Sequence, residues 1–315
     1  MVKQKVLVTG ASGYIGSRMC QYLAEQGYRV TALSRNQPSD SIWSSKLENV
    51  ILGDVTDEVL IKKLAEDNYS IVIHLVSLDH NQSNKGTPSE VSRVNITPVW
   101  SLLDTFKKQN LKKFIYFSTM QVYGTINGGV IDENSKLNTQ SHYGLTHQIG
   151  EEICDYYNRN TNTECISVRL SNSYGSPIFA ESNCWWLVIN DLCRMAFLEK
   201  KIVLQSDGSP LRDFIHGWDV CAAVNSIIKT SKKNTVYNVS SGVTLSIMEI
   251  ALKIKETFSK RYAEELTIIS KPLSDDKMQE SFKINNDLIR SIGFEPIWSL
   301  EKGINELFDF FEKNH

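Results

Sequence analysis

Three glycines spaced three residues apart near the N-terminus constrain the fold more than any other feature of the chain. Gly10, Gly13 and Gly16 follow the apolar run Val6-Leu7-Val8 and open a stretch of helical periodicity from Tyr14 to Gln26. Glycines at a turn from a buried strand into a helix let the backbone approach a pyrophosphate, whose charge the N–H groups of the first helical turn can bind. The loop therefore predicts a dinucleotide-binding site, lined by Gly10, Ser12, Gly13, Tyr14, Ile15 and Gly16.

Short apolar runs alternate with longer amphipathic runs up to about Asn172, which predicts a parallel sheet with helices on both faces. The predicted strands are Val6–Thr9, Arg29–Leu33, Val50–Leu52, Ile71–Leu75, Phe114–Ser118 and Cys165–Arg169, and the predicted helices include Glu58–Glu66, Val91–Gln109 and Tyr143–Asn160. Ligands of such sheets lie beyond the carboxyl ends of the strands. The glycine loop, Ser118, Thr119 and Asn172 are all expected at that edge, which is the predicted active site.

The pattern loosens after Gly175 into short strands and helices, including a helix over Trp185–Leu198, and this predicts a smaller mixed α/β lobe. We expect residues 1–175 to form the dinucleotide-binding domain and residues 176–315 to form mainly the substrate lobe. Residues from about 212 to 240 are expected to return to the large sheet, through Arg212–His216 and a helix over Trp218–Thr230.

The composition of the chain excludes several classes of function. With 315 residues and 41% hydrophobic content the chain can bury a full core, and a net charge of −2 gives no general attraction for nucleic acid or an anionic membrane. Six scattered cysteines lack metal-ligand spacing, so we expect reduced, mostly buried thiols and no metal site. No apolar run is long enough to span a membrane and only Met1 to Lys5 precede the first strand, so we expect a cytoplasmic protein.

Four further motifs follow the glycine loop: Ile115 to Gly124 (IYFSTMQVYG), Tyr143 to His147 (YGLTH), Arg169 to Gly175 (RLSNSYG) and Arg212 to His216 (RDFIH). The ordered set resembles the extended short-chain dehydrogenase/reductase family, which includes nucleotide-sugar epimerases, dehydratases and reductases, and it covers nearly the whole chain. The resemblance implies a Rossmann-type doubly wound sheet, a nicotinamide cofactor and a nucleoside-diphosphate sugar as substrate. It also implies a homodimer that pairs the helices over Val91–Gln109 and Tyr143–Asn160.

The resemblance assigns acid-base catalysis to Tyr143, orientation of the substrate oxygen to Thr119 and an assisting role to Ser118. A phenol with an ordinary pKa of about 10 needs a nearby positive charge to ionise at neutral pH, and the family supplies a lysine one helical turn on. This chain has His147 there, on the same helix face but with an ordinary pKa of about 6.5. Three alternatives stay open: an enzyme in which His147 holds the cofactor ribose and charges on demand, a slow enzyme, or a nucleotide-binding protein with a disabled centre.

The end of the second predicted strand bears on the choice of cofactor. An acidic residue there would select NAD, but the chain reads Ala32-Leu33-Ser34-Arg35-Asn36. Because the guanidinium of Arg35 can bind a 2′-phosphate, the sequence favours NADP(H), with NAD(H) as the alternative. The resemblance places the adenine and its ribose near Asp54, Val55, Leu75 and Ser77.

The residues after Thr119 argue against one reaction of the family. Sugar dehydratases carry an acidic pair there, whereas Met120 and Gln121 cannot transfer protons usefully. Asn172 and Arg212 resemble the groups that bind the diphosphate, although Ser274 to Lys277 lacks a second arginine that the family often has nearby. The leading interpretation is reduction of a 4-keto-6-deoxy nucleoside-diphosphate sugar with Tyr143 as proton donor, and the enzymatic alternative is an epimerase that retains NAD.

Overall fold

The computed structural model describes residues 3–272 and 279–314 of the chain. The strands are β1 Lys5–Thr9, β2 Arg29–Ser34, β3 Asn49–Leu52, β4 Ile71–His74, β5 Lys113–Thr119, β6 Gly129–Ile131, β7 Glu164–Leu170, β8 Asn172–Tyr174, β9 Lys201–Val203, β10 Leu211–His216, β11 Val236–Val239, β12 Thr244–Ser246, β13 Thr267–Ile269 and β14 Phe282–Ile284. The α-helices are α1 Tyr14–Glu25, α2 Ser41–Ser45, α3 Glu58–Ala65, α4 His80–Lys85, α5 Pro88–Asn95, α6 Thr97–Phe106, α7 His142–Asn160, α8 Val188–Glu199, α9 Gly217–Lys229, α10 Ile247–Tyr262, α11 Asp287–Arg290 and α12 Leu300–Asn314, and a 3₁₀ helix spans Met120–Tyr123.

The main sheet has seven parallel strands in the order β11-β7-β5-β4-β1-β2-β3. The chain builds outward from β1 to β3 on one side and then from β4 to β11 on the other, so the direction of winding reverses between β1 and β4. A crevice forms at such a reversal, beyond the carboxyl ends of the two strands. The structure confirms the predicted Rossmann-type doubly wound sheet, and the six predicted strands agree with β1, β2, β3, β4, β5 and β7 to within one residue at each end.

Apolar side chains cover both faces of this sheet. One buried cluster joins the sheet to α1 and α9, and a second joins the opposite face to α3, α6 and α7. A third cluster holds α8, α10 and α12 together. The six cysteines are all buried free thiols, as predicted. Within the described ranges, no helix is both long and apolar enough to cross a membrane.

Three details of the predicted element pattern are wrong. The expected helix over Val91–Gln109 is two helices that meet at Ile96, because Pro98 has no N–H for the continuing ladder. The helix expected over Trp185–Leu198 begins only at Val188. The strand over Arg212–His216 pairs with β8 and β12 in a separate three-stranded sheet and not with the large one.

The return of the chain to the large sheet occurs further on. Helix α9 packs on α1 as expected, and β11, which was not predicted, adds the seventh strand beside β7. Two small parallel pairs, β13 with β9 and β14 with β6, complete the pairing of the described strands. The segment Ser274 to Lys277 lies outside the described residues.

Candidate active site

The glycine loop lies at the point where β1 and β4 diverge. Gly10 has a φ of +71°, and a Cβ on it would lie 3.3 Å from the backbone of Leu75 and from Val76. A Cβ on Gly16 would lie 2.1 Å from the carbonyl oxygen of Gly10, so the helix can approach the loop only without a side chain there. Gly13 is the N-cap of α1 and supplies no side-chain cap, which leaves the helix N-terminus accessible. This cradle fits the pyrophosphate of a dinucleotide.

The other predicted cofactor residues border the same crevice. Leu75 and Ser77 follow β4, while Asp54 and Val55 follow β3. The Asp54 carboxylate accepts a hydrogen bond of 2.8 Å from the backbone N–H of Thr56, and this contact is the main cause of its lowered pKa. Arg35 is exposed directly after β2, and in the described part of the chain no hydrogen bond or ion pair engages its guanidinium. Its charge contributes to the lowered pKa of Asp54, so the two groups are near neighbours.

Tyr143 and Thr119 come together at the end of β5. Tyr143 lies in the first turn of α7, which begins after Ser141 caps its N-terminus with a 3.1 Å hydrogen bond from the backbone N–H of Gly144. Burial raises the pKa of Tyr143 to about 12, although hydrogen bonding by the Thr119 and Ser77 hydroxyls opposes the rise. Three hydroxyl groups therefore surround the point where a substrate oxygen could bind, and among residues 3–272 and 279–314 no lysine contributes to the pKa of Tyr143.

His147 lies one turn further along α7 and is almost completely buried. Its ring contacts that of Tyr143 edge-on, with 4.4 Å between the centroids. Burial is the largest effect on the imidazole and lowers its pKa to about 4, so the ring is neutral at physiological pH. At the position where the resemblance of the sequence motif implies a lysine, the chain therefore has an uncharged ring.

Tyr116, which the sequence did not single out, is the partner of His147. Its hydroxyl lies 3.0 Å from His147 Nδ1, whereas His147 Nε2 is buried without a hydrogen-bond partner among the described residues. A Cβ on Gly150 would lie 2.4 Å from the Tyr116 ring, so this glycine lets the tyrosine pass beneath α7 to reach the imidazole. If the Tyr116 hydroxyl donates to Nδ1, the neutral ring carries its proton on Nε2.

Ser118 does not join this group of hydroxyls. Because side chains alternate along β5, it points away from Thr119, and its hydroxyl donates to the buried carboxylate of Glu151. The same carboxylate forms a two-pronged ion pair with Arg169 on β7, with 2.7 Å between Arg169 Nη2 and Glu151 Oε2. Ser118 thus belongs to a buried network that fastens α7 to the sheet.

A cleft extends from Thr119 toward the smaller sheets. Asn172 and Arg212, the two predicted substrate-binding residues, both line it. The Asn172 amide donates to the backbone carbonyl of Asp213 at 2.9 Å, and Arg212 has an exposed guanidinium that donates to its neighbour's carbonyl. Asp213 instead accepts hydrogen bonds from Ser241, so Arg212 forms no ion pair with it. Further lining residues that were not predicted are His80, Ser171, Ser206, Asp207, Ser209, Lys271 and Glu280.

Known proteins resemble this chain over nearly its whole length. The family model described as "NAD dependent epimerase/dehydratase family" matches residues 6–240. Among the curated relatives, a Methanocaldococcus jannaschii protein provisionally named UDP-glucose 4-epimerase is 27% identical, over 98% of this chain and 99% of its own length. Human dTDP-D-glucose 4,6-dehydratase is 25% identical, over 99% of this chain and 91% of its own length.

Solved structures share the same fold. The Bacillus cereus UDP-glucuronic acid 4-epimerase in complex with UDP-glucuronic acid and NAD superimposes with a TM-score of 0.81 at 23% identity, covering 99% of this chain and all of that one. The Methanobrevibacter ruminantium UDP-N-acetylglucosamine 4-epimerase superimposes with a TM-score of 0.84 at 21% identity, covering both chains completely. Since the family model spans most of the sequence, the chain belongs to the NAD dependent epimerase/dehydratase family.

Proposed function

We propose that the protein is a nucleoside-diphosphate sugar 4-epimerase that keeps a tightly bound nicotinamide dinucleotide. The observation that carries the proposal is the meeting of Tyr143, Thr119 and Ser77 beside the glycine loop, at the mouth of a cleft lined by Asn172 and Arg212. The names of the relatives point the same way, because 4-epimerases occur among both the curated proteins and the solved structures. The reductase favoured by the sequence alone becomes the second candidate.

The cofactor would bind with its pyrophosphate at Gly10, Gly13 and Gly16 and its adenosine near Asp54 and Arg35. When bound, the nicotinamide accepts a hydride from the sugar carbinol and later returns it. The exposed guanidinium of Arg35 could bind a 2′-phosphate. NADP(H) is therefore the alternative cofactor, and a keto-sugar reductase is the second candidate function. A larger loss of NADPH binding than of NADH binding in Arg35→Ala would support that candidate, whereas an equal loss for both cofactors would remove it.

Tyr143 would transfer the proton of the sugar hydroxyl. As the tyrosinate it would take the proton of the sugar hydroxyl during oxidation, and as the resulting phenol it would return that proton during reduction, while Thr119 donates a hydrogen bond that orients the sugar oxygen. His147 would hold the cofactor through Nε2, which is buried and unpartnered in the described structure. Tyr116 would fix the tautomer that makes Nε2 the donor.

Elimination of water is disfavoured as the outcome. Met120 and Gln121 occupy the positions of a dehydratase's acidic pair, and neither side chain can act as an acid or base at neutral pH. The oxidised sugar would therefore be reduced again without losing a hydroxyl group.

We also propose a homodimer that forms through α6 and α7. Trp100 on α6 and Leu145 and Tyr156 on α7 are exposed by 58%, 47% and 54%, respectively. Trp100→Glu should convert a dimer into a monomer in sedimentation experiments, whereas Trp186→Glu, at a tryptophan with similar exposure outside these helices, should not. A monomeric native protein would contradict this part of the proposal.

The test of the function combines two measurements on freshly purified protein. Denaturation should release NAD or NADP, identified by mass spectrometry, and NMR should detect 4-epimers formed from a panel of UDP- and dTDP-sugars. Tyr143→Phe should lower turnover at least about 100-fold, while Tyr156→Phe on the same helix should leave it unchanged. Failure to bind either nucleotide, together with absence of turnover, would overturn the proposal in favour of a disabled centre.

A further inference from the structure

We propose that Gln121 is a specificity-determining residue whose carboxamide is locked in one orientation and donates a hydrogen bond from Nε2 to the keto oxygen of the bound sugar. The proposal rests on the nucleotide-sugar function argued above and adds a residue to which the sequence motifs assign no positive role.

A chain of hydrogen bonds leads to Gln121 from a backbone group. The N–H of His142 donates to Asn84 Oδ1 at 3.1 Å. Asn84 Nδ2 lies 2.9 Å from His80 Nε2, and His80 Nδ1 lies 2.9 Å from Gln121 Oε1. Three side chains thus connect the start of α7 to the carboxamide of Gln121.

The first link fixes the direction of all the others. A backbone N–H can only donate, so the Asn84 atom that faces it must be the carbonyl oxygen and the atom that faces His80 must be the NH₂ group. His80 Nε2 therefore accepts, and the neutral ring carries its proton on Nδ1, which donates to Gln121. Reversing the Gln121 carboxamide would place two donors against each other, at the cost of a hydrogen bond.

The outward atom of Gln121 is consequently a donor. In the described part of the protein nothing bonds to Gln121 Nε2, while Oε1 also receives a long hydrogen bond of 3.5 Å from the hydroxyl of Ser141. The side chain is exposed and lines the cleft beside Thr119 and His80. The centroid of the His80 ring lies 6.0 Å from that of the Tyr143 ring. The hydrogen-bonded relay formed by Asn84, His80 and Gln121 therefore lies next to the hydroxyl groups proposed to react.

A close backbone contact also holds Gln121 in place. A Cβ on Gly144 would lie 2.8 Å from the carbonyl oxygen of Gln121, so the 3₁₀ helix rests directly on the first turn of α7. A donor fixed in this way suits an oxygen that can only accept, such as a ketone. A carboxylate in the same place would repel the lone pairs of that oxygen, and the relay therefore favours binding of the keto form.

The experiment measures binding of UDP-4-keto-6-deoxyglucose to the holoenzyme with its cofactor oxidised, so that the ketone cannot be reduced. Gln121→Glu keeps the shape and the bond from His80 but loses the donor, and it should weaken binding of the keto sugar at least tenfold while binding of UDP alone stays unchanged. Asn84→Leu breaks the relay and should weaken binding about threefold. Asn81→Leu, on the same helix outside the relay, should have no effect.

A double variant separates orientation from general structural damage. Because the two carboxylate oxygens introduced by Gln121→Glu are equivalent, adding Asn84→Leu to that variant should cause no further loss. Two results would overturn the proposal while leaving the epimerase function intact. Either Asn84→Leu weakens binding of the keto sugar equally in the native protein and in Gln121→Glu, or Gln121→Glu alone leaves that binding unchanged. If the native holoenzyme converts no nucleotide sugar and binds neither UDP nor the keto sugar, both proposals fail.

Discussion

At the scale of single residues, the proposed site contains a neutral imidazole, His147, where the resemblance of the sequence motif implies a lysine. His147 is buried between Tyr143 and Tyr116, and burial lowers its pKa to about 4. The interpretation in which His147 charges on demand is therefore disfavoured, because protonation would require a pH well below the physiological range. The imidazole can still donate one directed hydrogen bond, which is the property needed to position a ribose.

The pH dependence of turnover should reflect Tyr143 and not His147. Since the pKa of Tyr143 is raised to about 12, the fraction of tyrosinate rises with pH throughout the accessible range, and kcat should increase steadily from pH 6 to pH 9. His147, with a pKa of about 4, is already neutral and should add no inflection near pH 6.5. An inflection near pH 6.5 that disappears in His147→Gln would contradict this account.

A positive charge at position 147 should accelerate turnover. A lysine at position 147 would bring a positive charge next to the Tyr143 hydroxyl, and an opposite charge at this distance lowers a pKa by about one to three units. We expect His147→Lys to raise kcat at pH 7 about tenfold, whereas the neutral His147→Gln should not. A lysine variant with unchanged kcat and pH profile would show that proton transfer to Tyr143 does not limit the rate.

Much of this site could be predicted because its residues are close in sequence or lie at strand ends. Tyr143 and His147 share a helix face, and Thr119 ends a strand. Tyr116, His80 and their contacts could not be predicted in the same way, since they depend on how β5 and α4 pack against α7. Such long-range packing leaves no periodic signal in the sequence.

At the scale of elements, the contact of α7 with β5 positions the groups proposed to be catalytic. The helix crosses the strand at Gly150, where the ring of Tyr116 occupies the space that a side chain would need. The buried ion pair of Glu151 with Arg169 fastens the same part of the helix to β7. The sequence analysis predicted α7 and β5. It did not predict that the helix expected over Val91–Gln109 divides at Ile96, where Pro98 interrupts the backbone hydrogen bonds.

Gly150→Ala tests this contact. The added methyl group would lie 2.4 Å from a buried, hydrogen-bonded ring that cannot move aside, so we expect a loss of about 1–3 kcal/mol in the free energy of unfolding and a loss of turnover. Gly53→Ala is the matched control, because the three atoms nearest to its new methyl group all belong to the flexible end of the Leu60 side chain. Equal stability of the two variants in urea denaturation would contradict the packing argument.

At the scale of the whole molecule, a buried cluster connects the first helix to the last. Arg18 on α1 is completely buried, stacks against the ring of Trp218 with 4.8 Å between the guanidinium carbon and the ring centroid, and lies 3.8 Å from the carboxylate of Glu306 on α12. That carboxylate also accepts hydrogen bonds from His216 and Trp218. Burial alone would raise the pKa of Glu306, but hydrogen bonding by His216 and the charge of Arg18 lower it to about 2. Helix α1, which begins at the glycine loop, is thus connected to the C-terminal helix.

Removing the Glu306 charge should destabilise the fold. Glu306→Gln would leave Arg18 buried without its counter-ion, and losses of about 3 kcal/mol are typical when one partner of a buried pair is removed. Glu301→Gln, which affects a surface pair with Lys253, should change stability by less than about 1 kcal/mol. Similar unfolding midpoints for the two variants would show that the cluster does not stabilise the molecule.

The central claim is that one bound cofactor takes a hydride from the sugar and gives the same hydride back. The most direct measurement takes the nucleotide sugar that the panel identifies as substrate, deuterated at carbon 4, and follows it through turnover by the purified protein with no cofactor added. The account predicts a 4-epimer that keeps its deuterium at carbon 4, with no net change in the bound nucleotide. Loss of the deuterium from the product, or formation of product only when NADPH is supplied and consumed, would contradict it.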